Sequence, residues 1–291
     1  MKILNLWVVA IMALSFSSTL VSCSSDDDNT DNTEQAKAIA GTFNGYSIGE
    51  SKMFTDYLMG SDANATITAN TDGTINLVYK SGSGDFTLNN LALTSKSFKG
   101  EGEVALAMGG TATKSYEYTL EGSVNDSKVL TLKANVPAVM GGMDIQFIQG
   151  DIPLGYLIAS NYQYNAKLAL YVKDIPFGST TESSAVIKRA ADNTVDIALK
   201  GFGELSGGSS MNLEDFTISG VNVAAGADGS YTLSLGAFES MAGSMPITGT
   251  DLTGTVAADG TVSVTVNFRP GAMPMDITAI FSGSNTENSA E

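Results

Sequence analysis

Thr261-Val262-Ser263-Val264-Thr265-Val266-Asn267-Phe268 alternates polar and apolar side chains at every step. Successive strand residues point to opposite faces, so this octet turns three valines and a phenylalanine inward and its hydroxyls and amide to water. Wound as a helix, the same residues would scatter the apolar set around the whole cylinder. The period of two recurs in Thr66-Ile67-Thr68, in Thr74-Ile75-Asn76-Leu77-Val78-Tyr79, in Val129-Leu130-Thr131-Leu132 and in Tyr231-Thr232-Leu233-Ser234-Leu235. Turn formers fall between the runs: Asp72-Gly73, Asn125-Asp126, Asp228-Gly229 and Asp259-Gly260. After residue 40 no segment carries a capped helical stripe, and residues 36–40 and 58–63 offer room for one helical turn each. The expected class is therefore all-β, built of antiparallel sheet. Closing such a sheet into a small up-and-down barrel removes its exposed edges; a flat sandwich is the alternative form, which periodicity does not separate from it.

The strands occur twice over. Leu120-Glu-Gly-Ser-Val124 aligns with Leu252-Thr-Gly-Thr-Val256, and Met143-Asp144-Ile145 with Met275-Asp276-Ile277, both 132 positions apart. Upstream, Asp85-Phe86-Thr87-Leu88 aligns with Asp215-Phe216-Thr217-Ile218 at 130, and Asp72-Gly-Thr-Ile-Asn-Leu77 with Asp192-Asn-Thr-Val-Asp-Ile197 at 120. Matches that keep their order while the offset drifts through loop insertions mark a duplicated domain. The copies span residues 39–150 and 156–284, with residues 151–155 as a connector and 285–291 as a disordered tail. Each copy has the usual size of one domain.

Composition removes several functions. The chain has no histidine, so it lacks the commonest neutral-pH general base and metal ligand. Gly45-Tyr46-Ser47-Ile48-Gly49 fits the spelling of a nucleophile elbow, but without histidine no Ser-His-Asp triad exists, and the stretch reads as strand. Cysteine–histidine zinc sites are excluded, no cofactor is implied, and the expectation is a non-enzyme. A net charge of −16 repels nucleic acid and gives anionic lipid surfaces nothing to attract. The only tryptophan is Trp7, which weakens a sugar-stacking reading.

The N-terminus explains where a membrane comes in. Lys2, the apolar run over residues 3–20 and the small-residue site ending at Cys23 have the order of a secretory signal, residues 1–22. Leu20-Val21-Ser22-Cys23 resembles the lipobox of bacterial lipoproteins. That resemblance implies cleavage before Cys23 and a diacylglyceryl thioether on its sulfur, which is the only cysteine of the chain. Residues 23–38, beginning Cys23-Ser24-Ser25-Asp26-Asp27-Asp28, are too polar to bury and read as a solvated tether. Ser25, Asp26, Asp27 and Asp28 also resemble the export signal of Bacteroidetes lipoproteins carried to the outer leaflet of the outer membrane, which implies exposure on the cell surface.

Gly45-Tyr46, Asp72 to Leu77, Asp85-Phe86-Thr87 and Leu120 to Val124, with their second-copy matches at Asp192 to Ile197, Asp215-Phe216-Thr217 and Leu252 to Val256, resemble the calycin-like β-barrel domains of Bacteroidetes lipoproteins. The family implies two tandem lipocalin-related barrels and no catalytic residues. Lipocalins proper open with Gly-x-Trp, where this chain has Gly41-Thr42-Phe43. Methionine is the notable side chain: Met108, Met140 and Met143 in copy one, and Met241, Met245, Met273 and Met275 in copy two, cluster beside glycines at hairpin ends. A flexible thioether suits an adaptable apolar lip for a ligand or partner, and equally suits core filling. The tyrosines in the strands either line a cavity or simply build strand. The first functional expectation is a small hydrophobic or amphipathic ligand bound in or near the barrels. The alternatives are a structural or adhesion protein that engages a protein partner on the cell surface without a cavity, and a glycan-binding component of a nutrient-uptake assembly. An apolar void of roughly 300 Å³ favours the first reading, and a filled core with exposed apolar patches the second.

Overall fold

The computed structural model describes residues 27–107, 113–206 and 213–287, with side chains from residue 32 onward. A helix, α1 (Asp27–Ile39), leads into eight strands: β1 (Gly41–Glu50), β2 (Tyr57–Ala69), β3 (Ile75–Lys80), β4 (Asp85–Leu91), β5 (Ser97–Ala107), β6 (Thr113–Val124), β7 (Leu130–Val136) and β8 (Met143–Gln149). All neighbours run antiparallel in chain order, and β1 pairs with both β2 and β8, which bends the meander into a barrel. The seam lies between β4 and β5, where Leu88 and Leu91 pack on the bare backbone of Gly100 in place of a ladder. Gly45 sits where β1 is shared between two partners, and any Cβ there would collide with the Ile148 carbonyl.

A short helix, α2 (Leu154–Ile158), opens the second barrel: β9 (Ser160–Tyr162), β10 (Tyr164–Val172), β11 (Ile175–Thr180), β12 (Ser184–Ala191), β13 (Thr194–Lys200), β14 (Phe216–Ala225), β15 (Tyr231–Leu235), β16 (Phe238–Ala242), β17 (Met245–Val256), β18 (Thr261–Pro270) and β19 (Ile277–Ser284). The strands β9 and β10 act as one bent first strand. Its lower part pairs with β12, its upper part with β11 and β19, and the ring closes through it. Strands two and five of this barrel are broken, into β11 with β12 and β15 with β16. The fold is all-β and barrel-forming, with the duplication carried through: β17 and β18 repeat β6 and β7, with Leu120 and Leu252, and Leu132 and Val264, buried at equivalent places.

The alternation does what it promises. In β18 the residues Val262, Val264, Val266 and Phe268 are buried, while Ser263 and Arg269 face water. The first interior is filled by rings: Tyr79 stacks on Phe86 at 5.3 Å, Phe86 meets Tyr118 edge-on at 4.8 Å, and Phe147 closes on Tyr79 at 5.9 Å. The second is filled by Phe202, Phe216 and Phe268 with centroids 5.0–6.3 Å apart. Each buried ring of this kind contributes about 1.5–3 kcal/mol by transfer from water.

Three expectations change. Residues 23–38 were expected to stay a solvated tether, but the chain is helical from Asp27, and Ala36 and Ile39 are buried against the first core. Ile158 of α2 plays the same part under the second barrel, so each copy begins with a helix that closes one end. Residues 58–63 form no helical turn and belong to β2, because Tyr57 and Leu58 are claimed by ladder partners Gly49 and Ile48. The connector at residues 151–155 runs directly into α2. Of the tail, residues 288–291 lie outside the described residues.

Candidate functional site

Among the described residues, the hairpins with an Asx-type aspartate turn lie at the end closed by the helices. Asp72, Asp228 and Asp259 accept bonds from the backbone N–H and hydroxyl of the residue two further on, at 3.0 and 2.6 Å for Thr74, 3.1 and 2.5 Å for Ser230, and 2.9 and 2.7 Å for Thr261. These bonds hold all three carboxyls below the usual aspartate range. At the opposite end of each barrel the surface changes character.

Of the ten large apolar side chains exposed among the described residues, six lie at the loop ends: Met53, Tyr57 and Met140 on the first barrel, Ile175, Met241 and Met275 on the second. Their exposures range from 37% for Met140 and Met275 to 75% for Met53. Behind them Phe54 and Met59, and on the second barrel Val172, Met245 and Met273, are half-buried against the cores. Met245 flanks the β18–β19 loop that holds Met273, where Pro246 accepts from Gly271 N at 2.7 Å and Pro270 from Met273 N at 3.2 Å. The structure therefore gathers Met241, Met245, Met273 and Met275 at one barrel end and leaves Met140 at the corresponding end of the other. Met143 is fully buried in β8 and belongs to the core.

Met143 and Met275 align in sequence but not in space. Val136 pairs with Met143, whereas Phe268, 132 positions after Val136, pairs with Ile277. The second loop is two residues longer, so Met275 stays in it, outside the ladder. Cys23, Ser25, Asp26 and Met108 lie outside the described residues; Asp27 and Asp28 begin α1. The chain upstream of α1 thus joins the first barrel at the helix-closed end, opposite its apolar loops.

Tyr46, Tyr79, Tyr118 and Tyr162 are buried, while Tyr116, Tyr164, Tyr171 and Tyr231 are half-buried. Ser47 and Tyr79 share a buried hydrogen bond of 2.7 Å, and burial pushes the Tyr79 hydroxyl far above the usual phenol range. Outside, an open groove of about 650 Å³ crosses β5 to β8, lined by Lys99, Glu101, Glu121, Lys133, Asn135 and Asp144. Its charges are largely self-paired, with Lys99 3.5 Å from Glu121 and Lys133 2.9 Å from Asp144. Among the described residues no group of acidic, cysteine or histidine side chains is arranged to hold a metal ion, and no helix is long and apolar enough to cross a membrane.

Sequence reasoning missed a cluster between the barrels. Asp56, in the β1–β2 loop, accepts the Tyr156 hydroxyl and lies 2.8 Å from Arg189 of β12. Arg189 also covers the Tyr156 ring at 4.5 Å, and Tyr156 packs on Tyr46 of β1 at 5.7 Å. These partners lie as many as 133 positions apart, so no spacing in the sequence announces them. The exposed apolar residues Met53 and Ile175 were missed too: Met53 stands in the β1–β2 loop and Ile175 opens β11 beside the β10–β11 turn, where an apolar side chain has no core to enter.

The calycin-like β-barrel domain model matches residues 39–148 and 161–284, and the chain belongs to that family. A crystal structure at 2.40 Å of a "putative outer membrane protein" from Bacteroides fragilis is 43% identical, with a TM-score of 0.80 over 86% of this chain and 99% of that one. A protein of unknown function from Nostoc punctiforme is 11% identical over 87% of this chain and 98% of its own, with a TM-score of 0.25, too low to bear on the fold. No curated protein matches the chain.

Proposed function

We propose that the protein is a non-enzymatic outer-membrane lipoprotein, anchored through Cys23 and displayed on the cell surface, that binds a small hydrophobic or amphipathic ligand against the methionine-lined loop ends of its barrels. The filling of both interiors by packed aromatic rings leaves no room for a ligand inside either barrel, so the observation that carries the proposal is the gathering of exposed apolar side chains, three of them methionines of the predicted lip, at the loop ends. A ligand meets flexible thioethers there, in front of a half-buried apolar layer. Anchoring at the opposite end of the first barrel turns that barrel's loops away from the lipid. The similarity to the "putative outer membrane protein" of Bacteroides fragilis supports the envelope address.

Native mass spectrometry of the fragment from Ser24 to Glu291 with extracted lipids and small hydrophobes tests the binding. Retained ligand that is lost on Met245→Ser with Met273→Ser supports it; no retained ligand removes it. Cys23→Ser separates the anchor from the binding, since the variant leaves the membrane fraction if the anchor is right. The filled interiors together with the exposure of Met53, Ile175 and Met241 favour one second reading, in which the same loop ends meet the apolar face of a protein partner.

A further inference from the structure

The β1–β2 loop of the first barrel does not stand alone. Its last residue, Asp56, has a left-handed backbone at φ 51°, a conformation that costs a non-glycine residue energy and persists only when its surroundings hold it. Those surroundings belong to the start of the second barrel. One carboxylate oxygen of Asp56 accepts the Tyr156 hydroxyl, and the other lies 2.8 Å from Arg189 Nη1. Tyr156 is buried between the Tyr46 ring and the Arg189 guanidinium. Burial first, and then the bond to Asp56, push its hydroxyl well above the phenol range, so it stays a donor. The connector presses close as well, since a Cβ on Gly155 would come within 3.1 Å of the Thr194 carbonyl and 3.2 Å of Arg189 Cγ.

Arg189 has few other partners. Asp192 is 3.4 Å away and mostly exposed, and Arg189 Nε is buried without a hydrogen bond. Removing Asp56 therefore leaves a half-buried guanidinium with only the exposed Asp192 beside it, and the loss of the charged hydrogen bond falls on the junction. The neighbours of Asp56 are Met53, Phe54 and Tyr57, which form the apolar loop end of the first barrel. Phe54 is tied into the same loop, its carbonyl accepting from Ser51 N at 2.8 Å.

We infer that the second barrel is a latch on the first: Arg189 and Tyr156 grip Asp56, fix the angle between the barrels, and thereby set the order of the apolar loop at residues 51–57. Ligand capture at that loop is then coupled to the docking of the barrels. The coupling rests on the functional reading given above, whereas the latch itself does not.

The test uses the full lipidated chain in detergent and no ligand. Cys23 is the only native cysteine and carries the lipid, so Lys99→Cys and Thr253→Cys place one spin label on each barrel. The parent should give one narrow inter-barrel distance by double electron–electron resonance. Asp56→Ala and Arg189→Met should each broaden it and speed hydrogen exchange over residues 51–57 by about tenfold or more, the change expected when a bond to a charged group is lost. Asp56→Asn keeps an acceptor for Tyr156 and should fall between. Unchanged exchange at β3, inside the first barrel, shows that the barrel itself remains folded. A distance as narrow in both variants as in the parent, with exchange over residues 51–57 unaltered, overturns the latch. A latch that opens while the parent retains no lipid in mass spectrometry overturns the binding reading instead.

Discussion

The two barrels share a binary pattern and differ in how they fill it. In the first, Tyr79 stacks on Phe86 at 5.3 Å. In the second, the ladder places Leu199 where Tyr79 stood and Phe216 where Phe86 stood. The missing ring comes from the loop after β13: Phe202, in a 3₁₀ turn, lies 5.0 Å from Phe216. Asp215 holds that turn in place, accepting from Gly201 N at 2.9 Å and Phe202 N at 3.4 Å. A second exchange occurs at Val136 of β7, whose counterpart is Phe268, opposite Gly249. Inward-facing apolar residues thus decide that a barrel forms, while total volume, drawn from whichever element supplies it, decides that the barrel is full.

Breaking the comparison at Phe202 has the largest expected effect. Phe202→Ala should cost about 3–5 kcal/mol, the usual range for removing a buried phenylalanine. In urea, the second barrel should unfold ahead of the first, as followed by exchange protection at β13 and at β3. A loss under 1 kcal/mol would mean that Phe202 is not the stand-in for Tyr79. The reciprocal variant Leu199→Tyr should overpack the second barrel, because the space is already taken, and its melting temperature should fall.

Much of this architecture is legible in the sequence and some is hidden for physical reasons. The octet at Thr261 becomes β18 because alternation reports a one-sided environment, and β17 is found by its 132-residue offset from β6. The helix α1 is legible only at its last turn, over residues 36–39: the stretch from Asp27 to Ile39 is polar, and among its described side chains only Ala36 and Ile39 enter the core. Short helices of this kind are held by tertiary contacts and not by propensity. Phe202 is hidden likewise, since an apolar residue in a loop carries no period. The methionine cluster was visible as composition at hairpin ends, but the burial of Met143 and the exposure of Met275 depend on a two-residue difference in loop length. The junction at Asp56 and Arg189 depends on how two domains meet, which neither repeat encodes.

The buried hydroxyl pair sharpens the same contrast with a smaller effect. Tyr79→Phe leaves Ser47 buried without its 2.7 Å partner, and should destabilise the first barrel by about 1–3 kcal/mol. Adding Ser47→Ala removes the orphaned group and should recover part of that loss in chemical denaturation. The double variant then resembles the second barrel, whose ring cluster is all phenylalanine. If the single and double variants are equally unstable, the loss comes from packing and not from the unpaired hydroxyl.

The smallest expected effect compares two equivalent turns. At the β17–β18 turn, Thr261 N donates to the Asp259 carboxylate at 2.9 Å; at the β6–β7 turn, Val129 N donates to the neutral Asn125 amide oxygen at 2.9 Å. The Asp259 carboxyl is lowered by its bonds from the Thr261 hydroxyl and backbone. A carboxyl whose folded pKa lies below its unfolded one contributes stability above the unfolded value, near 3.9, and loses it as pH falls through the folded value. Exchange protection at Thr261 should therefore hold through the unfolded carboxyl pKa, near 3.9, and drop only at lower pH, relative to intrinsic amide rates, while Val129 changes little. Asp259→Asn should make Thr261 behave like Val129. Because Asp259 is fully exposed, the change should stay local and leave the melting of the barrel almost unmoved. A parallel loss at both amides would trace the acid response to global unfolding, and the two turns would then be energetically alike despite their different side chains.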